Sequence, residues 1–204
     1  MEMFGDPVVN PMKWESIPLG KRCQILTGTT PSRADKKNYG TFVEWIKSDN
    51  ITSSSTIITK AREYLSETGL QKCRFVESGS LLMTCIAGSI NSIGNVAITD
   101  RRVAFNQQIN AITPKYDEVL YLHRLILLSK PIIHSTINMS LKGILSKKQL
   151  SEIALPFPPL PLQQQFAAFV EKVDKSKFIV GNRLAGRLYR NLLTKLSLSE
   201  ADYD

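Results

Sequence analysis

The sequence predicts a mixed α/β fold, with a globular part built on a small mixed sheet and helices and then one long C-terminal α-helix. Three observations predict it. Short apolar runs rich in β-formers alternate with turn signals through residues 12–157. Two stretches among them carry helix start and stop signals. Residues 162–197, by contrast, are almost free of Gly-Pro punctuation and rich in helix formers. The chain therefore divides into a globular unit, 1–157, and a helical unit, 158–204.

The elements follow in order. Leu19–Leu26 reads as a short helix ending at Thr27-Gly28, and a polar loop runs from Thr29 to Asn38. Val43-Glu44-Trp45-Ile46 alternates and is a strand, as are Ser80–Cys85, Asn95–Thr99 and Gln108–Thr113. Asp117–Ser129, DEVLYLHRLILLS, places acids in the first turn and apolar groups on most faces, a helix buried against a sheet and stopped by Pro131. Ser146-Lys147-Lys148-Gln149 is a capping-box pattern that opens a short helix to Ile153.

Leu155-Pro156-Phe157-Pro158-Pro159-Leu160-Pro161 can continue neither a helix nor a central strand, because each proline lacks an N–H and fixes φ. It reads as a rigid linker. From Gln163 to Leu196 apolar residues recur every three or four positions: Phe166, Phe169 or Val170, Val173, Val180, Leu184, Leu188, Leu192 and Leu196. Ser176 and Lys177 interrupt the stripe; Gly181 and Gly186 weaken the helix but let a second helix approach closely. Such a helix is on the order of 50 Å long. A domain of this size cannot cover that length, so the stripe predicts a partner helix from another chain. Lys172, Lys175, Lys177, Arg183, Arg187, Arg190 and Lys195 lie opposite it, as a solvated face or a docking face.

Composition narrows the function. The 204 residues are 43 % hydrophobic, enough for a sizeable core. No stretch approaches the ~20 apolar residues of a membrane span, and MEMFGDPVVN lacks the pattern of a secretory signal, so a cytoplasmic address and no membrane partner are expected. Cys23, Cys73 and Cys85 show no CxxC pair and read as buried thiols. The net charge of +8 suits a polyanionic partner.

A reactive constellation is not legible. His123 and His134 lack a nucleophile to serve and read as core or surface histidines. The Gly88–Gly94 stretch lacks the GK[ST] ending of a phosphate loop, and GxSxG and HExxH do not occur. Phe157-Pro158-Pro159-Leu160 lacks the leading Asn or Asp with which an amino-methyltransferase holds its target amine. Basic and polar loops remain as DNA-binding candidates: Arg33, Lys36 and Lys37; Lys47, Ser48 and Asn50; Arg101 and Arg102; Asn106 and Gln107; and Lys142. Lysine and arginine neutralise phosphates, while Asn, Gln and Ser read base edges.

These pieces together resemble a known family. Trp14-Glu-Ser-Ile-Pro-Leu19-Gly20, Thr27-Gly28-Thr-Thr-Pro31-Ser32, Val43-Glu-Trp45-Ile46 with Asp49-Asn50-Ile51, and Tyr64-Leu-Ser66-Glu67-Thr-Gly69-Leu70 resemble the target recognition domain of specificity (S) subunits of Type I restriction-modification systems. Gly79-Ser-Leu-Leu-Met, Ile93-Gly94-Asn-Val-Ala97, Phe105-Asn106-Gln107-Gln108 and the proline run leading into Gln163 continue it over nearly the whole chain.

The resemblance implies a non-catalytic subunit. Its recognition domain reads one half of an interrupted duplex DNA site, and its long helix acts as a ruler. Methyltransferase (M) subunits would carry S-adenosylmethionine, and restriction (R) subunits would bring ATP and Mg; this chain would bind no cofactor and no metal. Usual members carry two recognition domains and two rulers, whereas this chain has one of each and no internal repeat, so it looks like a half-length form, natural or truncated. An antiparallel homodimer through Phe166, Phe169, Val170, Val173, Val180, Leu184, Leu188 and Leu192 would restore two recognition domains and imply an interrupted palindrome. Lying in a family-like motif, Asn106 and Gln107 are expected to support loops or touch backbone in place of selecting bases. The rival readings are a DNA methyltransferase or nuclease in its own right, and a DNA-binding regulator or scaffold without a modification partner.

Overall fold

The computed structural model describes residues 4–52, 55–137 and 143–180, with side chains through 173. In chain order the elements are β1 (Ser16–Pro18), α1 (Leu19–Arg22), β2 (Cys23–Thr27), β3 (Tyr39–Ile46), β4 (Tyr64–Leu65), α2 (Glu67–Gln71), β5 (Phe75–Val76), β6 (Leu81–Thr84), β7 (Val96–Ile98), β8 (Val103–Phe105) and β9 (Ile109–Pro114). The helices α3 (Val119–Leu128), α4 (Lys130–Ser135) and α5 (Lys147–Glu152), strand β10 (Ala154–Pro156) and helix α6 (Leu160–Val180) follow. The fold is mixed α/β, as expected.

Two four-stranded sheets form the centre, ordered β2-β9-β6-β7 and β4-β3-β8-β5. The run Leu81-Leu82-Met83 shows why they stack. Leu81 and Met83 face a core shared with Ile112, Val96, Leu122 and Ile126, so the helices cover that side of the first sheet. Leu82 points the other way, into a core with Ile46, Val103 and Phe105 from the second sheet. A strand buried on both faces reads as continuous apolar sequence instead of alternation. Each such fully buried side chain contributes about 1.5–3 kcal/mol.

The second sheet is mixed: β3 and β8 run parallel, with Trp45 beside Ala104 and Ile46 beside Phe105, and β4 and β5 pair antiparallel on the outside. Parallel strands end on the same edge. The Asn106 N–H, donating to Ile46 O at 3.1 Å, joins the turn after β8 to the exit of β3.

Several boundaries differ from the expected ones. Leu19–Leu26 is not one helix: α1 closes after one turn, and Cys23–Thr27 pairs with β9 because Cys23 and Ile25 point into the core while Gln24 is exposed, a period of two. Asp117 lies outside α3, buried against Arg22 and Gln163, so it does not charge the helix's first turn. Pro131 stands behind the end of α3 but inside the first turn of α4, where its missing N–H costs nothing. The proline run is not a free linker. Ala154–Pro156 pairs with Ser16–Pro18 as a two-stranded ladder, and Pro161 lies in the first turn of α6, which begins three residues before Gln163. Cys73 is half-buried, unlike Cys23 and Cys85. Both halves of the capping box form: Gln149 N–H donates to Ser146 Oγ at 3.2 Å, and Ser146 N–H donates to Gln149 Oε1 at 3.0 Å. Among the described residues, no helix is long and apolar enough to cross a membrane.

Candidate nucleic-acid interface

The edge where β3 and β8 end collects three candidate segments. Lys47 and Ser48 leave β3, Asn106-Gln107-Gln108 leave β8, and the loop after β2 is laid across both. Gly28 makes that crossing: its N–H donates to Ile109 O at 3.0 Å, and a Cβ there would stand 2.1 Å from Asn106 O. No side chain fits so close to backbone. Beyond it the loop is strapped by donors from β3 and its approach, Trp45 Nε1 to Thr29 O at 3.3 Å, Tyr39 OH to Pro31 O at 3.0 Å and Asn38 Nδ2 to Ser32 O at 2.9 Å. The Thr30 hydroxyl donates to Gln107 Oε1, so the loop and the 106–108 turn meet through exposed polar groups.

Two cations on this edge, Arg33 and Lys47, share one acid. Arg33 Nη2 lies 2.8 Å from Glu63 Oε2, and Lys47 Nζ reaches the other oxygen of the same carboxylate. Arg33 also lies over the rings of Tyr39 at 5.2 Å and Trp45 at 5.5 Å, with Lys47 over Trp45 at 5.2 Å. Hydrogen bonding to Lys47, and to Arg33 in addition, holds the Glu63 carboxyl below its usual range against the partial burial that opposes it. Lys36 and Lys37 are exposed on a single 3-10 turn whose N-cap, Asp35, accepts from Lys37 N at 3.2 Å and pairs with Lys72 at 3.1 Å.

Arg101 and Arg102 stand at the opposite end of β8. Arg101 forks onto Glu44 with Nε and Nη2 both at 2.8 Å, and Arg102 pairs with Glu77 while covering the Phe75 ring at 5.3 Å. Phe42 and Phe75 are exposed here, and a shallow depression is lined by Phe42, Val43, Glu44, Tyr64 and Arg102. Arg33 and Lys47 thus stand at one end of the parallel pair, and Arg101 and Arg102 at the other.

Burial removes two candidates from base readout. Asn50 is 6 % exposed: its Oδ1 accepts from Lys47 N at 3.0 Å and its Nδ2 donates to Lys60 O at 3.0 Å, tying the turn after β3. Asn106 is also 6 % exposed and accepts from Gln108 N at 3.1 Å, the loop-supporting alternative. Buried side chains whose donors and acceptors are taken up within the fold, as by Gln108 Oε1 on Asn106 Nδ2, have nothing left for a base edge. Ser48 is half-buried, Gln107 is exposed, and Lys142 lies outside the described residues. Sequence reading missed Arg74, exposed on the same edge with Nη1 donating to Thr27 O at 2.8 Å, and the acids Glu44, Glu63 and Glu77. No local pattern marks them, since their partners are distant in sequence.

The expected helix stripe is split by the fold. Phe166 packs inward, its ring 5.4 Å from Phe4 and 6.2 Å from Tyr121, and Val170 is buried on the same helix. Gln163, fully buried, donates to Asp117 Oδ1 and Pro158 O at 2.9 Å each and accepts from Glu118 N at 3.0 Å. Val170 is therefore buried and Phe166 half-buried against the globular part, in contrast to the expectation that they face a second chain. Phe169 is 39 % exposed, Val173 is half-buried and Val180 ends α6; Leu184, Leu188 and Leu192 lie outside the described residues.

The remaining titratable groups are structural in setting. His123 Nε2 meets Val96 O at 3.1 Å, and His134 Nε2 meets Ile93 O at 3.0 Å. Burial pushes the thiols of Cys23 and Cys85 up to about 12. Among the described residues, no group of three or more His, Cys, Asp or Glu is placed to hold a metal ion.

Comparison with known proteins extends the geometry. The family described as Type I restriction modification DNA specificity domain matches residues 11–185. Over 117 residues the chain is 34 % identical to the Type I restriction enzyme HindI specificity subunit of Haemophilus influenzae, covering 55 % of this chain and 24 % of that protein. It is 25 % identical over 197 residues to the MjaIX specificity subunit of Methanocaldococcus jannaschii, covering 89 % and 44 % respectively. The fold is similar to that of a chain solved for the complex assembly of a type I R-M system, with TM-score 0.66 at 17 % identity over 91 % of this chain and 44 % of that one. It is similar also to the HsdS subunit of Thermoanaerobacter tengcongensis, with TM-score 0.60 at 18 % identity, 91 % and 45 % covered. The chain spans less than half the length of the curated relatives it matches. Because the match takes in both sheets and all of α6, the chain belongs to the family of Type I restriction modification DNA specificity domains.

Proposed function

We propose that this chain is the DNA sequence-recognition component of a Type I restriction-modification complex. The observation that carries the reading is the family match across residues 11–185, which joins the loop-bearing sheets to α6. In this reading, unit 1–157 reads one half of a bipartite duplex target through the edge bearing Arg33, Lys47 and Gln107, with lysine and arginine on phosphates and neutral polar groups on bases. Unit 158–204 is a ruler that sets the spacing and offers a docking face to methyltransferase subunits. Its start is anchored at a set angle by Gln163 and Phe166. The chain performs no reaction itself; S-adenosylmethionine belongs to the methyltransferase subunits, and ATP and Mg to restriction subunits where these join.

Two such chains pair through the part of the stripe left open, with Phe169 at its near end, in an antiparallel coiled coil. Two-fold symmetry then makes the target an interrupted palindrome. Co-expression with a Type I methyltransferase subunit, followed by mapping of methylated bases, tests this. The expected result is one bipartite, symmetric motif that disappears when this chain is left out. Micromolar binding of S-adenosylmethionine to the purified chain alone, with DNA methylation by it, would replace the reading with that of a free-standing methyltransferase.

A further inference from the structure

We infer that Glu63 is a built-in competitor for DNA phosphate, a carboxylate that occupies the Arg33–Lys47 cation pair until a backbone phosphate displaces it. The inference rests on the recognition reading above and adds to it a residue that suppresses binding to DNA in general.

Three features of the cluster support it. One carboxylate serves two cations, Oε2 facing Arg33 Nη2 at 2.8 Å and Oε1 facing Lys47 Nζ, which is the two-donor arrangement a phosphate oxygen pair also satisfies. The cations do not depend on Glu63 for their position: Arg33 lies over Tyr39 and Trp45, Lys47 lies over Trp45, and Trp45 is 3 % exposed and fixed. The cluster is also accessible, with the Arg33 side chain 59 % exposed and those of Lys47 and Glu63 near one third. Exposed ion pairs of this kind are weak in water and easily exchanged.

Glu44 shows the contrast. Its side chain is 13 % exposed and accepts from Ala61 N at 2.7 Å as well as from both forks of Arg101, so it is tied to backbone as well as to its cation. Glu63 is held differently. Its main chain is pinned, because Glu63 O accepts from Trp45 N at 2.9 Å, while the carboxylate is bound by the two cations and is free to swing when they exchange partners. Lys60 and Arg62 flank it in sequence and are exposed, so neutralising Glu63 changes the local charge in a surface already basic.

The physical consequence concerns salt dependence. Each cation that neutralises a phosphate steepens the fall of log K with log salt by about 0.9. With Glu63 present, capture of a phosphate releases the carboxylate, and part of the electrostatic gain is cancelled. That penalty applies to every DNA sequence alike, whereas base contacts recover it only at the right sequence.

The test uses the full chain, a fluorescently labelled random-sequence duplex and a salt titration of affinity. Glu63→Gln is expected to bind about tenfold more tightly at low salt with a slope steeper by about 1 to 2, and adding Arg33→Gln and Lys47→Gln to that variant is expected to return both to or below the wild-type values. Circular dichroism confirms that each variant is folded; a misfolded Glu63→Gln is replaced by Glu63→Ala, for which the same shifts are expected. Wild type and Glu63→Gln binding with equal slopes would overturn the competitor role alone. No duplex binding by either folded protein would overturn the recognition reading and this one together.

Discussion

The guanidinium of Arg22 grips the buried carboxylate of Asp117 across 95 residues of sequence, with Nε 2.9 Å from Oδ2 and Nη2 on Oδ1. Gln163 of α6 donates to the same Oδ1, so one aspartate joins the entry of β2, the approach to α3 and the start of the long helix. The Asp117 side chain is fully buried, while that of Arg22 keeps 27 % exposure. Hydrogen bonding to Asp117 raises the Arg22 pKa against its own desolvation.

Asp117→Ala should destabilise the chain by on the order of 3 kcal/mol, the low end for breaking a buried pair, because Arg22 retains access to water. Urea denaturation measures it. Because Gln163 loses one of its two acceptors as well, keeping only Pro158 O, hydrogen exchange in the first turns of α6 should speed up more than in β6. Equal protection in both would show that the helix is held by Phe166 packing instead.

Acid should weaken the fold through His123. Burial first, and Arg124 next, lower its pKa to about 4, against the opposing hydrogen bond to Val96 O. The sign follows: below the unfolded value near 6.5, the unfolded chain takes up a proton that the folded one refuses. Stability is therefore complete above about pH 6.5 and falls toward pH 4, by on the order of 3 kcal/mol. Stability curves at several pH values should show the slope, and His123→Gln should flatten it.

Removing the cap of α5 gives a smaller change. Ser146→Ala deletes the acceptor of Gln149 N–H and should cost about 1 kcal/mol, read as a lower urea midpoint at unchanged m-value.

The two sides of α6 should separate folding from association. Phe166→Ala removes a ring packed on Phe4 and Tyr121 and should cost about 3 kcal/mol of monomer stability. Phe169→Glu, at a position 39 % exposed, should leave thermal stability of the globular part within about 0.5 kcal/mol. On the proposed pairing, it should shift sedimentation from dimer to monomer. An unchanged sedimentation coefficient would remove Phe169 from the pairing surface.

Much of the scaffold is legible in local pattern. The strand character of Val43–Ile46, the cores of β6, β7 and β9, the body of α3 and the Ser146–Gln149 cap follow from composition and spacing within a few residues. The β2 strand escaped because its five residues follow a real helical turn, and pairing with β9 decides between the two. The interface is less legible. Its cations are visible in sequence, and so is Asp100 beside Arg101, but the other acid partners lie tens of positions away: 30 residues separate Arg33 from Glu63, and 57 separate Arg101 from Glu44.

Local pattern was enough for the fold class, for a helix over the tract that α6 occupies through Val180 and for the family motifs, since each depends on neighbours within a turn or a strand. Only the closed fold decided that Asn50 and Asn106 are buried props, that Glu63 sits between two cations, that Val170 is buried and that Phe166 packs against Phe4 and Tyr121. Periodicity records which residues avoid water. It does not record which surface excludes that water, because the covering surface is brought by distant chain only when the sheets close.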